Sequence, residues 1–173
     1  MPTARLAAPA FAAFLALGAM LAPGMAADLD TPTGDILLTV TGAVTVTNRG
    51  DTAVFDLGLL ESLPQVEFTT ATIWTQGEHR FTGVTLEALL DAVGADGTIL
   101  NATAINDYSV EIPVSDAVEG GPIVAYRMDG ETMSVRDKGP LWVVYPYDDV
   151  REYRSEVIYS RSIWQLDRID IRP

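Results

Sequence analysis

No cysteine occurs anywhere in the 173 residues. That absence excludes disulfides, thiolate nucleophiles, covalently attached haem, iron–sulfur clusters and thiolate–metal sites. Whatever folds here must be held by its core alone. The absence carries more weight because the N-terminal segment reads as an export signal, and exported chains are where disulfides otherwise form. Met1 to Ala10 holds a single charge, Arg5, and Phe11 to Ala22 is an unbroken apolar run. Pro23-Gly24 then interrupts the helix, and the small residues Ala26 and Ala27 precede the first acid, Asp28. A basic start, a short apolar core and a small-residue cleavage site make a secretory signal peptide. The opposing reading is a membrane anchor. An apolar helix of about 12 residues rising 1.5 Å each covers roughly 18 Å, against a hydrocarbon core of about 30 Å. The expectation is therefore cleavage near Ala27, a periplasmic location and no membrane insertion after cleavage. No cysteine follows the apolar core to accept a lipoprotein-style anchor.

Residues 28–173 are a comfortable length for one domain with a real core. No repeat, low-complexity tract or linker divides them. The chain is acidic, with a net charge of −13, and loss of Arg5 with the signal makes it one unit more negative. Such a surface repels phosphate backbones and anionic headgroups, so nucleic acid is excluded as a partner. The single histidine, His79, lacks an H-x-x-H or H-E-x-x-H partner for a metal and a G-x-S-x-G motif for a triad. It reads as an ordinary surface or loop residue, and no metal site is expected.

Short β-rich runs dominate the patterning. Ile36 to Gly42, Val44 to Thr47 and Thr52 to Leu57 read as strands, with a turn at Asn48 to Asp51 where Asn and Gly tolerate positive φ. Leu57 to Leu63 suits one or two helical turns ended by Pro64. Val66 to Thr75 is rich in Thr, Phe, Ile and Trp, a strand composition. The clearest helix starts at Thr85, a capping residue, with Leu86, Leu89, Leu90 and Val93 on one face and Gly94 at its C-terminal end. Strands are expected over Thr98 to Ile112 on either side of Asn106-Asp107. A hairpin turning at Asp129-Gly130 is expected over Pro122 to Met133, with further strands at Leu141 to Tyr145 and Ile163 to Ile171. The pattern predicts an α+β domain, mixed β-sheet with a few short helices.

Three stretches hold polar and aromatic residues that packing alone does not require: Ala104 to Tyr108, Arg136 to Trp142, and Tyr145-Pro146-Tyr147 with Ser160 to Trp164. They supply flat rings, a carboxylate and fixed cations. Rings can stack on the faces of a flat heterocycle while a carboxylate accepts from an amino-pyrimidine edge. The plainer reading keeps Trp142 and Trp164 in the core and makes Asp107 a turn former. The loop between Tyr147 and Tyr159 reads as a solvated connector, with a lid as the alternative.

Five pieces in order carry a resemblance: F-x-G-V-x-L-x-x-L-L (Phe81 to Leu90), I-N-D-Y (Ile105 to Tyr108), D-G (Asp129, Gly130), K-G-P-L (Lys138 to Leu141) and R-S-I-W-Q-L (Arg161 to Leu166). From about Leu38 to Ile171 the chain resembles the sulfite-oxidase-type molybdopterin-binding domain. The resemblance implies the sulfite oxidase fold with a pterin in a cleft formed by these loops. It implies a binding set of rings at Trp74, Tyr108, Trp142, Tyr145 and Trp164, a carboxylate at Asp107, and cations at Lys138 and Arg161.

The departures are equally informative. Catalytic members of the resembled family ligate molybdenum through a cysteine upstream of the G-V-x-L segment. Here that region is Thr69 to Thr75 with a bulky Trp74; indole carbon cannot ligate a metal, and a hydroxyl poorly replaces a soft thiolate. Trp142 stands where an arginine is usual, and the lysine of the closing run is lost. The chain is also shorter than the full enzymes, without a counterpart of their dimerising domain. The resemblance thus implies a non-catalytic exported protein that binds a pterin or molybdopterin-like ligand and reports to a membrane-bound signalling partner. The alternatives are a molybdopterin-dependent oxidoreductase subunit lacking the cysteine ligand, and a relic that binds nothing.

Overall fold

The computed structural model describes residues 29–173. The expected signal peptide, residues 1–27, lies outside the described residues. Ten strands form two sheets. The first runs β2 (Ala53–Phe55), β1 (Leu38–Gly42), β10 (Leu166–Arg172), β5 (Ile99–Ala104), β6 (Ser109–Pro113). Its β1–β10 pair is parallel and the others are antiparallel. The second runs β3 (Gln65–Ala71), β4 (Glu78–Thr85), β7 (Ile123–Met128), β8 (Glu131–Thr132), with β9 (Trp142–Val144) also paired to β7. Three short helices complete it: α1 (Leu57–Ser62), α2 (Leu86–Val93) and α3 (Glu156–Arg161). This is the mixed α+β architecture that the patterning predicts. Among the described residues no helix is long and apolar enough to cross a membrane.

Local chemistry accounts for the helices. Asp56 caps α1 by accepting from Leu59 N–H at 2.8 Å, and the same carboxylate accepts from Thr33 and Gly34 N–H at 2.7 Å each. Thr85 caps α2 through Ala88 N–H, and Gly94 ends it in the left-handed conformation. The predicted apolar face, Leu86, Leu89, Leu90 and Val93, is buried. It joins Phe81, Val84, Leu100 and Ile123 in one core fed by both sheets.

Three expectations are corrected, and one strand is unanticipated. Val44 to Thr47 is not a strand: Thr45 and Val46 N–H donate to Val93 O, so the segment closes the end of α2 instead. The strand expected to reach Thr75 stops at Ala71, because Trp74 and Thr75 N–H turn back onto Thr72 Oγ1 at 3.1 Å. Glu78–Thr85, which carries His79, is a central strand that the patterning did not predict. Part of the 147–159 loop is helix α3, capped by Ser155.

The turn between β3 and β4, the turn between β5 and β6, and the run from α3 into β10 come together on one side of the molecule. There they enclose the largest aromatic cluster.

Candidate functional site

Trp74 lies in the β3–β4 turn, fixed by its N–H bond to Thr72 and by Thr72 Oγ1 lying 2.8 Å from Thr75 Oγ1. Its ring meets four others edge-on: Trp142 (centroids 5.9 Å apart), Tyr147 (6.5 Å), Tyr159 (5.8 Å) and Trp164 (5.6 Å). Edge-to-face contact is the favoured geometry for ring quadrupoles, so the cluster orients Trp74 without covering all of it.

Beside this cluster is a cavity of about 350 Å³, within the range of small-molecule sites. Trp74, Tyr108, Tyr159 and Trp164 give it an aromatic wall, and Asn106, Ser160, Ser162 and Gln165 supply its polar groups. Ser162 is already engaged: its Oγ donates to Ile158 O at 2.8 Å and accepts from Tyr147 hydroxyl at 2.6 Å. Asn106 Oδ1 accepts from Tyr108 N–H, and Gln165 Nε2 donates to Val135 O at 2.7 Å. With the amides assigned in this sense, Asn106 keeps a donor and Gln165 an acceptor for a ligand. The two are neighbours, because Ile105 N–H donates to Gln165 O at 2.9 Å. A donor and an acceptor lining one cavity suit an amino-pyrimidine edge.

The structure divides the expected binding set. Trp74, Tyr108 and Trp164 line the cavity together. Lys138, in the left-handed conformation, places Nζ 4.5 Å from the Trp164 ring centroid and 5.6 Å from that of Trp142. Trp142 has no free face: it is fully buried, packs edge-on against Phe81 at 5.4 Å, and donates from Nε1 to Ser162 O at 3.2 Å. Tyr145 and Arg161 belong to a separate network. Tyr145 hydroxyl donates to Asp116 Oδ2 at 2.7 Å, and Arg161 reaches both Asp116 oxygens at 2.9 and 3.1 Å. Burial first, and then the Asp116 bond, push the Tyr145 phenol far above its ordinary range. Burial lifts Tyr147 to about 12. Asp107 is the turn former of the plainer reading, at φ 66° with its side chain 86% exposed and bonded to Arg168 at 2.6 Å. It does not line the cavity.

Sequence reasoning missed Tyr159 and Gln165, and took Asp107 where Asn106 faces the cavity. The I-N-D-Y run held the signal for Asn106. Tyr159 was legible only as part of a loop.

The donor set matches a flat heterocycle with a hydrogen-bonding edge. It does not match a molybdenum centre: the wall offers indoles, phenols, amides and hydroxyls, none of them soft ligands. Among the described residues no group of three or more His, Cys, Asp or Glu is placed to hold a metal ion. In comparison with known proteins, no curated protein matches the chain. The family model described as the oxidoreductase molybdopterin binding domain matches residues 38–148. That span covers β1 to β9, including Trp74, Asn106 and Tyr108, and stops before α3 and Trp164. With well over half of its length matched, the chain belongs to the oxidoreductase molybdopterin binding domain family.

Proposed function

We propose that this chain is an exported, non-catalytic pterin-binding protein that reports ligand occupancy to a membrane-bound signalling partner. The observation that carries the reading is Trp74. An indole stands in the segment where the family resemblance implies a metal-ligating thiolate, and it forms one wall of a cavity whose other polar and aromatic groups are rings, neutral amides and hydroxyls. Stacking against such rings contributes roughly 1–3 kcal/mol per ring where bases meet aromatics. The Asn106–Gln165 pair adds edge recognition without a carboxylate. Export is supported by the N-terminal pattern of Arg5, the apolar run to Ala22 and Ala26-Ala27. A membrane partner is what would carry an extracytoplasmic binding event inward. A molybdenum oxidoreductase subunit has less support, because no soft ligand stands at the cavity wall to complete the metal's coordination.

Two of the three tryptophans line the cavity, so an added oxidised pterin should quench intrinsic fluorescence saturably. Trp74→Leu should weaken that binding about ten-fold or more, by loss of one stacking ring. No quenching at high micromolar pterin sinks the proposal. Stoichiometric molybdenum in protein taken from the native exported compartment would favour the oxidoreductase reading instead.

A further inference from the structure

Three rings run in contact from the cavity wall into the core. Trp74, in the wall, meets Tyr147 at 6.5 Å between centroids, and Tyr147 meets Tyr145 at 6.2 Å. Both tyrosines are buried. Their hydroxyls differ in kind. Tyr147 donates to Ser162 Oγ, a neutral hydroxyl that is no base. Tyr145 donates to Asp116 Oδ2 at 2.7 Å, and Arg161 fixes that carboxylate by reaching both of its oxygens. Packing alone calls for neither the phenol nor the ion pair, since apolar side chains of similar volume would fill the same space at no loss of stability.

The two kinds of hydroxyl separate in one-electron chemistry. An oxidised indole persists as a radical cation. A phenol radical cation is a strong acid, so oxidation of a tyrosine is favourable only if the proton leaves with the electron. A buried phenol has no water to take that proton and needs a base that it already touches. Tyr145 has such a base in Asp116 and Tyr147 does not. Burial and the Asp116 bond also keep the Tyr145 phenol protonated until an electron departs. Lys138 narrows the route further. Its Nζ lies 4.5 Å from the Trp164 centroid and 5.6 Å from that of Trp142, which opposes a positive charge on either ring.

We infer that Trp74, Tyr147 and Tyr145 form a hole-transfer relay, ended by the Tyr145–Asp116 pair, that removes oxidising equivalents from the cavity wall. Its oxidant is a photoexcited oxidised pterin in the cavity, and for this oxidant alone it rests on the pterin-binding reading. The excited pterin takes one electron from Trp74, giving a pterin radical anion and an indole radical cation. Trp74 then regains an electron from Tyr145 through the Tyr147 ring, while the Tyr145 proton passes to Asp116. The products are a neutral indole, a neutral tyrosyl radical and a protonated Asp116. An electron returned by the pterin radical anion, with the proton returned by Asp116, restores the phenol and its carboxylate.

Flash photolysis of the purified protein tests the relay, with transient absorption following the indole and tyrosyl radicals. Two photo-oxidants are compared: an oxidised pterin, and tris(bipyridine)ruthenium(II) with persulfate, which needs no cavity. Each should give an indole radical whose decay matches the growth of a tyrosyl radical, and this step should slow in D2O because a proton moves in it. Tyr145→Phe should lose that growth and accumulate more oxygenated Trp74 under steady illumination, read by peptide mass spectrometry. Asp116→Asn should slow the conversion about a hundred-fold, the low end of what a positioned base contributes. Tyr126→Phe, outside the series, should behave as the parent. Melting curves check that each variant folds. Tyrosyl growth that survives in Tyr145→Phe puts the terminus at another phenol, such as Tyr159 at 5.8 Å from Trp74, and overturns the inference. An unchanged rate in Asp116→Asn overturns it too, as does the absence of conversion with both oxidants. Conversion with ruthenium but not with pterin leaves the relay standing and removes the pterin.

Discussion

Edge-on contacts with four rings fix the orientation of Trp74, while Thr72 holds its backbone, so the indole is positioned by packing behind it and presented to the cavity in front. The neighbouring turn shows how finely residue identity and placement separate. Asp107 looked like the edge-recognising group because a charged acceptor forms the stronger hydrogen bond. At φ 66° it instead leads outward to Arg168, and Asn106 beside it faces the cavity. Asp107→Ala should therefore change pterin affinity no more than Asp96→Ala does. Asn106→Ala or Gln165→Ala should weaken it by about five- to ten-fold, the loss of one neutral hydrogen bond of about 1 kcal/mol. Fluorescence titration of the four variants checks this, and a larger loss at Asp107 than at Asn106 would refute it. The motif order was enough to mark the right turn, the resemblance marked Trp74, and the third polar and aromatic stretch marked Trp164. What no local pattern revealed was Arg161, taken up by Asp116 from 45 residues away. Long-range ion pairs leave no trace in spacing.

At the scale of elements, β4 is the strand on which the second sheet depends, paired to β3 on one side and β7 on the other. Its sequence, Glu-His-Arg-Phe-Thr-Gly-Val-Thr, hides it: three polar residues open it, and glycine ordinarily weakens a strand. Gly83 is there for close approach. A Cβ at that position would lie 2.3 Å from Val124 O, beside a register shift between β4 and β7. Gly83→Ala should force the two strands apart and cost about 1–3 kcal/mol, the usual range for overpacking. Its thermal midpoint should fall accordingly, while an unchanged midpoint would mean the bulge absorbs the methyl. The helix α2 was legible to the residue because capping, periodicity and the terminal glycine agree. Helix α3 was not: Glu156–Arg161 is six residues long with one buried apolar side chain, too short for a periodic signal. Yet α3 supplies Tyr159 and Ser160 to the cavity, so the least legible helix builds part of the site.

For the whole molecule, a fold without disulfides needs other links between distant segments, and carboxylates and phenols provide them, buried at Asp56, Tyr145 and Tyr147 and exposed at Asp129 and Asp148. Asp56 joins the 33–34 segment to α1, Asp129 accepts from Arg80 N–H and bonds His79 at 2.7 Å, and Asp148 joins the 147–154 loop to Thr70 and Ala71. All three carboxyls are held below the ordinary range. The leading causes are the Leu59 N–H for Asp56, the His79 side chain for Asp129 and the Ala71 N–H for Asp148. A lowered folded value contributes stability that is complete above the ordinary carboxylate range and is lost as pH falls through that lowered value. Tyr145 and Tyr147 act in the opposite direction. Burial raises both phenols, so their contribution is complete below the ordinary phenol range and is lost as pH rises beyond it. Stability in urea should therefore hold a plateau between about pH 5 and 9 and fall on both sides. Asp56→Asn should be less stable at neutral pH and show a shallower acid limb. Tyr145→Phe should flatten the alkaline limb, because phenylalanine has no phenol to ionise on unfolding. An acid limb as steep in Asp56→Asn as in the parent would mean that this carboxylate is not one of the links that stand in for disulfides.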